Sequence, residues 1–242
     1  QGSILLEGDK VDVAFDNEGQ VEAKGATTQI NGPFYNSGSL LVTAERVGQS
    51  NRNGWLTIAQ GFTNDGLVEM TSNDGAPSSR LTVTSGTLTN GPGGTLRSSG
   101  VRNLRILTAS IDNQGTVDID QNLSLTNSGG SFRSSDGALD ILSGTTLTVG
   151  GGSAHLGTGT GLVGSGTVDF VVPTLELTSD LTIPSGGVRF AFGGAVQITG
   201  AGRLTNQGSI LFDNERVEVE MDNQSFMHVK GTATAINGSF NN

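Results

Sequence analysis

Apolar residues alternate with polar ones along most of this chain, in a fixed phase to a short recurring phrase. The phrase reads large apolar residue, any residue, Asn, any residue, Gly. It occurs as Phe15-Asp16-Asn17-Glu18-Gly19, Phe34-Tyr35-Asn36-Ser37-Gly38, Phe62-Thr63-Asn64-Asp65-Gly66, Ile111-Asp112-Asn113-Gln114-Gly115, Leu125-Thr126-Asn127-Ser128-Gly129 and Leu204-Thr205-Asn206-Gln207-Gly208. Looser forms end at Asn90, Asn223 and Asn242. Four and six residues after the Asn the chain is usually apolar, as at Val21 and Ala23, Leu40 and Val42, Val68 and Met70, Val117 and Ile119, and Ile210 and Phe212. A spacing of two is the strand period, with one face buried and the other solvated. The Asn-x-Gly step predicts a turn, because Asn and Gly both tolerate positive φ. No stretch carries helical spacing.

A longer echo overlies the phrases. Residues 1–36 return as residues 207–242 at a constant offset of 206, with 17 of 36 positions identical and no gap. Residues 1–206 therefore read as one long tandem repeat and 207–242 as the opening of the next, with neighbouring repeats of the same protein as partners. Short strands and turns also suit a β-sandwich. A sandwich gives no reason for one phrase to recur in one phase, whereas a parallel β-solenoid stacks like residues on like, rung upon rung. Aligned Asn side chains can then hydrogen-bond up the stack. At roughly 20–25 residues per rung, 206 residues make about nine rungs.

The phrases at Leu204–Ile210 and Ile111–Val117 resemble the rungs of filamentous-haemagglutinin-like adhesins and autotransporter passengers of bacteria. That resemblance implies an all-β, right-handed parallel β-helix in an exported, fibrous protein, extracellular or at the cell surface. The chain opens at Gln1 without Met and has no basic-then-apolar leader, which reads as a segment of something longer.

Composition narrows the chemistry. The net charge is −10, and the 13 basic residues, ten of them Arg, form no cluster, which argues against nucleic-acid binding. Without Cys, and with only two His, thiolate metal sites and cysteine nucleophiles are excluded. No apolar run approaches the ~18 residues of a membrane span. The best carboxylate group is Asp112, Asp118 and Asp120, with Asp140 nearby in sequence. Asp118 and Asp120 point outward roughly 7 Å apart at the strand rise, within the about 5–9.5 Å that glycoside cleavage uses. Outward Asp on an acidic rod is the simpler account.

His155 follows a Gly run and reads as a loop residue, and His228 stands where the first copy has Glu22, so neither reads as catalytic. Calcium loops of the nonapeptide or EF-hand type are absent, and Asn73-Asp74-Gly75 and Ser135-Asp136-Gly137 read as plain turns. The Gly runs at 150–152 and 157–161 lack the helix that a phosphate cradle needs. The expectation is thus a structural rod segment with no cofactor and no catalysis, whose matching ends associate head to tail. The alternatives are an adhesin using Trp55 and Tyr35 on glycans or cells, and a polysaccharide-cleaving enzyme.

Overall fold

In a computed structural model that describes residues 2–73, 77–101, 104–127 and 129–242, the chain is all β, with no helix among the described residues. Its strands stack in parallel as a β-solenoid of about 10 turns. Each turn contributes one strand to each of three sides. The first side runs from Ser3–Leu6 through Gln20–Lys24, Ser39–Val47, Leu67–Ser72, Thr95–Ser98, Thr116–Ile119 and Ala138–Ile141 to Gly161–Gly164. The second runs from Lys10–Val11 to Phe226–Lys230, and the third from Phe15–Asn17 to Ala235–Ile236. Ser79–Asn90 and Arg105–Asn113 are long enough to serve the second and third sides in succession. One antiparallel excursion, Ser39–Val47 against Ser50–Arg52, projects from the stack.

The period-two pattern sets what lies inside. Val21, Leu40, Val68, Leu96, Val117 and Leu139 stand in register on the first side, each almost wholly buried. Third-side rings Phe15, Phe34 and Phe62 touch with centroids 5.7 and 5.0 Å apart, the first pair tilted and the second edge to face. On the second side Phe170, Phe192 and Phe212 stack at 5.7 and 5.4 Å. Burying a Val, Leu or Phe side chain is worth about 1.5–3 kcal/mol relative to exposure, and every turn supplies several. The narrow interior thus stabilises each turn only through its two neighbours.

From Leu181–Ile183 onward the first side is taken over by a separate ladder, continued by Leu204–Asn206, Met221–Asn223 and Phe240–Asn241. These strands occupy the same place in each turn, between a third-side and a second-side strand, although no ladder joins them to Gly161–Gly164. The duplicated segment straddles this change. Ser3–Leu6 lies on the first side, but its counterpart Ser209–Asp213 lies on the second, nine steps up the column that begins at Lys10–Val11. Lys10–Val11 is on the second side and its counterpart Arg216–Val217 on the third. Phe15–Asn17 is on the third side, whereas Met221–Asn223 belongs to the late ladder.

Local conformation is nevertheless retained between the copies. Gly8 (φ 79°) becomes Asn214 (φ 74°), and Gly25 (φ 81°) becomes Gly231 (φ 84°). The amide of Gly8 donates to Thr28 Oγ1 at 3.2 Å, and that of Asn214 to Thr234 Oγ1 at 3.1 Å. The offset of 206 residues is therefore nine and one-third turns: the same structure returns, displaced by one side. At about 4.8 Å per turn this is a rise of roughly 45 Å.

Candidate functional site

The most extended polar arrangement is a ladder of buried asparagines at the corner between the third and first sides. Asn17 Nδ2 donates to Asn36 Oδ1 (2.6 Å), Asn36 to Asn64 (2.6 Å), Asn64 to Asn90 (2.7 Å) and Asn90 to Asn113 (2.8 Å). Asn113 then donates to Ser134 Oγ at 2.9 Å. Each amide also donates to a carbonyl of the next turn, as Asn36 does to Leu67 O (3.0 Å) and Asn64 to Thr95 O (3.2 Å). A second ladder joins Asn206 to Asn223 (2.7 Å) and Asn223 to Asn242 (2.5 Å) at the corner after the late first-side strands. A buried primary amide is expensive unless its donors and acceptor are met, and one Asn on another meets them rung by rung.

Two expectations are corrected. Gly19, Gly38, Gly66, Gly115 and Gly208 are not in the left-handed region, so positive φ does not explain them. The reason is close stacking. A Cβ at Gly38 would collide with the carbonyl oxygen of Gly19, one at Gly66 with that of Gly38, and one at Gly115 with that of Gly94. The second copy carries Ser225 at the Gly19 position, so the approach is not this tight on every rung.

Asn127 and Gly129 do not belong to either ladder. They occupy the corner between the second and third sides, after Leu123–Thr126 and before Ser131–Ser134. There Asn127 Nδ2 is buried without a partner, and Gly129 does have positive φ (80°). Ser128 of that phrase, like Asp74 and Gly75 of the Asn73 turn and Gln1 of the echo, lies outside the described residues.

The carboxylates fall into separate places. Glu69, Arg97, Asp118 and Asp140 stand in register on the outer face of the first side. Arg97 Nε lies 3.3 Å from Asp118 Oδ2 and donates to Asp120 Oδ2 at 2.9 Å. Burial, with Asp120 close by, raises the Asp118 carboxyl above its usual range against the opposing pull of Arg97. Asp112 is elsewhere, on the third side, accepting from Gln114 Nε2 at 2.9 Å. The group the sequence drew together is therefore a rung-bridging ion-pair column with Asp112 apart from it. Among the described residues no three His, Asp or Glu side chains converge as a metal-binding group.

His155 lies in the strand Ser153–Leu156 and not in a loop. Its Nε2 is 3.0 Å from Ser153 Oγ, and its Nδ1 is 2.9 Å from Glu176 Oε2, its in-register neighbour. The sequence offered no sign of this chain, because Glu176 is brought in only by the stacking of turns. The order of a serine, a base and an acid is present, but His155 Nδ1 makes no hydrogen bond to Glu176, so the acid does not orient the ring. The Ser153 amide is also spent on Gly130 O at 3.1 Å, which removes the nearest donor for an oxyanion. His228 faces outward opposite Leu211 in the second-side ladder.

Trp55 and Tyr35 do not share a groove. Trp55 is on the second side under the Arg80 guanidinium, 5.8 Å from its ring centroid. Tyr35 is on the third side, donating to Asp65 Oδ2 at 2.8 Å. Shallow open grooves lie beside Gly61 and Gly86, and beside Gly144 and Gly187, lined mostly by Thr, Ser and Gly with Phe62 in the first and Arg189 in the second. Comparison with protein-family models, with curated proteins and with solved structures finds no match for this chain.

Proposed function

We propose that the chain is a structural segment of an exported fibrous protein at the surface of a bacterium, a stiff β-solenoid built from tandem 206-residue units. The observation that carries this reading is the return of the same local turn geometry after 206 residues, displaced by one side, on a surface whose polar groups bridge adjacent turns. The backbone hydrogen bonds run along the rod axis, so axial tension is shared by all the bonds of one turn-to-turn interface.

Both terminal turns leave apolar residues uncovered. Ile4 (44%), Val13 (68%) and Phe240 (44%) are exposed, whereas their counterparts Ile210, Val219 and Phe34 are 0%, 3% and 6% exposed. Neighbouring turns cover these positions inside the chain, and a second copy would cover them at the ends. Sedimentation velocity across a concentration series, with negative-stain microscopy, tests the reading. Rods lengthening in steps of one chain are expected, and a strict monomer at every concentration would overturn it.

A further inference from the structure

We propose that the groove beside Arg189, at a corner between the first and second sides, binds a carboxylated saccharide. The site rests on local geometry in the middle of the stack and does not need the rod reading above.

Unequal corner lengths create the groove. Between Ala138–Ile141 and Thr146–Gly150 the corner takes residues 142–145, between Gly161–Gly164 and Thr167–Val171 only 165–166, and between Leu181–Ile183 and Arg189–Phe192 residues 184–188. The short corner is drawn in: a Cβ on Gly166 would collide with Ile141 Cγ2 and with the carbonyl oxygens of Leu142 and Thr145 in the neighbouring turn. The long corners stand out. Their left-handed residues Gly144 (φ 81°) and Gly186 (φ 64°) face open space, since a Cβ on either would meet nothing within 4 Å. A recess of about 460 Å³ lies between them.

One wall of this recess is an outward column of the second side. Thr146, Thr167, Arg189 and Ser209 stand there in register, one per turn, and span about 14 Å at the rung spacing. Arg189 Nη2 donates to Thr167 Oγ1 at 3.1 Å, which holds the guanidinium along the column. Arg97, Arg203 and Arg216 each pair with an Asp or Glu, whereas among the described residues Arg189 enters no ion pair. Asp169 is outward on the adjoining strand, but burial alone raises its carboxyl, with no cation drawing it down. No Asp or Glu lines the recess, on a chain whose net charge is −10.

The lining selects the ligand. An Arg fork meets a carboxylate through two parallel hydrogen bonds. Ser and Thr hydroxyls both donate and accept, as the hydroxyls of a sugar do. No aromatic, Val, Leu or Ile side chain lines the recess, so a lipid or an aromatic ligand gains little burial there. A small carboxylate would engage Arg189 and leave the row of hydroxyls unused. An extended acidic sugar chain engages both, with its carboxylate on Arg189 and its ring hydroxyls on Thr146 and Ser209.

The test is a nuclear magnetic resonance titration of the isotope-labelled chain with β-1,4-linked triglucuronate. Cellotriose is the neutral match, and a tetraglutamate peptide is an acidic chain of another class. Saturable shifts of the Gly144, Thr167 and Gly186 amide signals are expected with triglucuronate only. Arg189→Gln should weaken binding about tenfold or more, as the loss of a charge-assisted pair does. Arg203→Gln removes the same charge outside the recess and should leave the affinity unchanged. Circular dichroism confirms that both variants keep the fold.

No saturable shift with triglucuronate, equal binding of cellotriose or tetraglutamate, or equal affinities in the two variants would overturn the site. None of these outcomes bears on sedimentation, so the rod reading stands or falls separately.

Discussion

The asparagine ladder makes a quantitative demand on stability. In Asn64→Ala the side chain lost donates to Asn90 Oδ1, Gly66 O and Thr95 O, and accepts from Asn36 Nδ2. Asn36 keeps Leu67 O and Gly38 O, but Asn90 Oδ1 is stranded, since it is wholly buried. A stranded buried acceptor costs about 1–3 kcal/mol, and each net hydrogen bond lost adds about 1 kcal/mol. Four lost hydrogen bonds and one stranded acceptor give an expected destabilisation of about 5–7 kcal/mol. Asn127→Ala is the matched control: the residue is equally a buried Asn in the same phrase, but its Nδ2 has no partner to lose. Its cost should stay below about 1 kcal/mol. Urea unfolding followed by circular dichroism reads both. Fluorescence of the single Trp55, which lies in the same turn as Asn64, adds a local probe. Because each turn contacts only its neighbours, Trp55 should report unfolding earlier than the bulk signal in Asn64→Ala. Equal losses for the two variants would refute the ladder as a source of stability.

Three other substitutions probe different terms. Gly38→Ala forces a Cβ against the Gly19 carbonyl, a backbone atom that cannot rotate away, and should lower stability by roughly 2–3 kcal/mol in thermal or urea melts. Phe192→Ala empties the middle of the Phe170, Phe192 and Phe212 stack, for a loss of about 3–5 kcal/mol by urea midpoint. Glu215 is fully buried, and burial pushes its carboxyl up to about 7 from an ordinary 4.5. The folded state thus holds this proton more tightly than the unfolded state, so its contribution is complete below about pH 4.5 and is lost as pH rises through 7. That is roughly 3 kcal/mol across the window. In Glu215→Gln the slope of stability between pH 5 and 7.5 should flatten relative to the parent; parallel curves would exclude Glu215 as its source.

Period-two alternation and the recurring phrase were sufficient to read a parallel solenoid, because in a stacked coil local spacing and global architecture are the same fact. Positions such as Val21, Leu40 and Val68 are inward for the reason their spacing states. What the letters could not convey is which corner a phrase occupies. Leu125–Gly129 has the same residues as the ladder phrases, but it follows a second-side strand. Its Gly serves a left-handed turn, where the ladder Gly residues serve close stacking. The chain of Ser153, His155 and Glu176 was hidden for a related reason: Glu176 lies a full turn away in sequence, and only the register supplies it. Arg105 is a further omission, a fully buried guanidinium that donates to Val101 O at 2.6 Å and also to Ser99 O. In sequence it is one Arg among ten.

The one-side displacement of the duplicated segment bears on what a repeat can mean in such a rod. A unit of a whole number of turns would place every copy of a surface feature on one side, giving a rod with a functional face. Nine and one-third turns distribute each feature round the axis, so no side is privileged over three units. The interior tolerates this because each side presents the same kind of aliphatic and Phe columns to the centre. Ile4 on the first side and Ile210 on the second are both inward, and Phe15 and Met221 likewise. The corners tolerate it because an Asn ladder needs only a neighbouring Asn, not a given side. A rod that extends and spaces its surface needs no privileged face, whereas an adhesin that binds along one flat surface does. The pitch of the repeat therefore fits the proposed rod better than a surface that binds along one side.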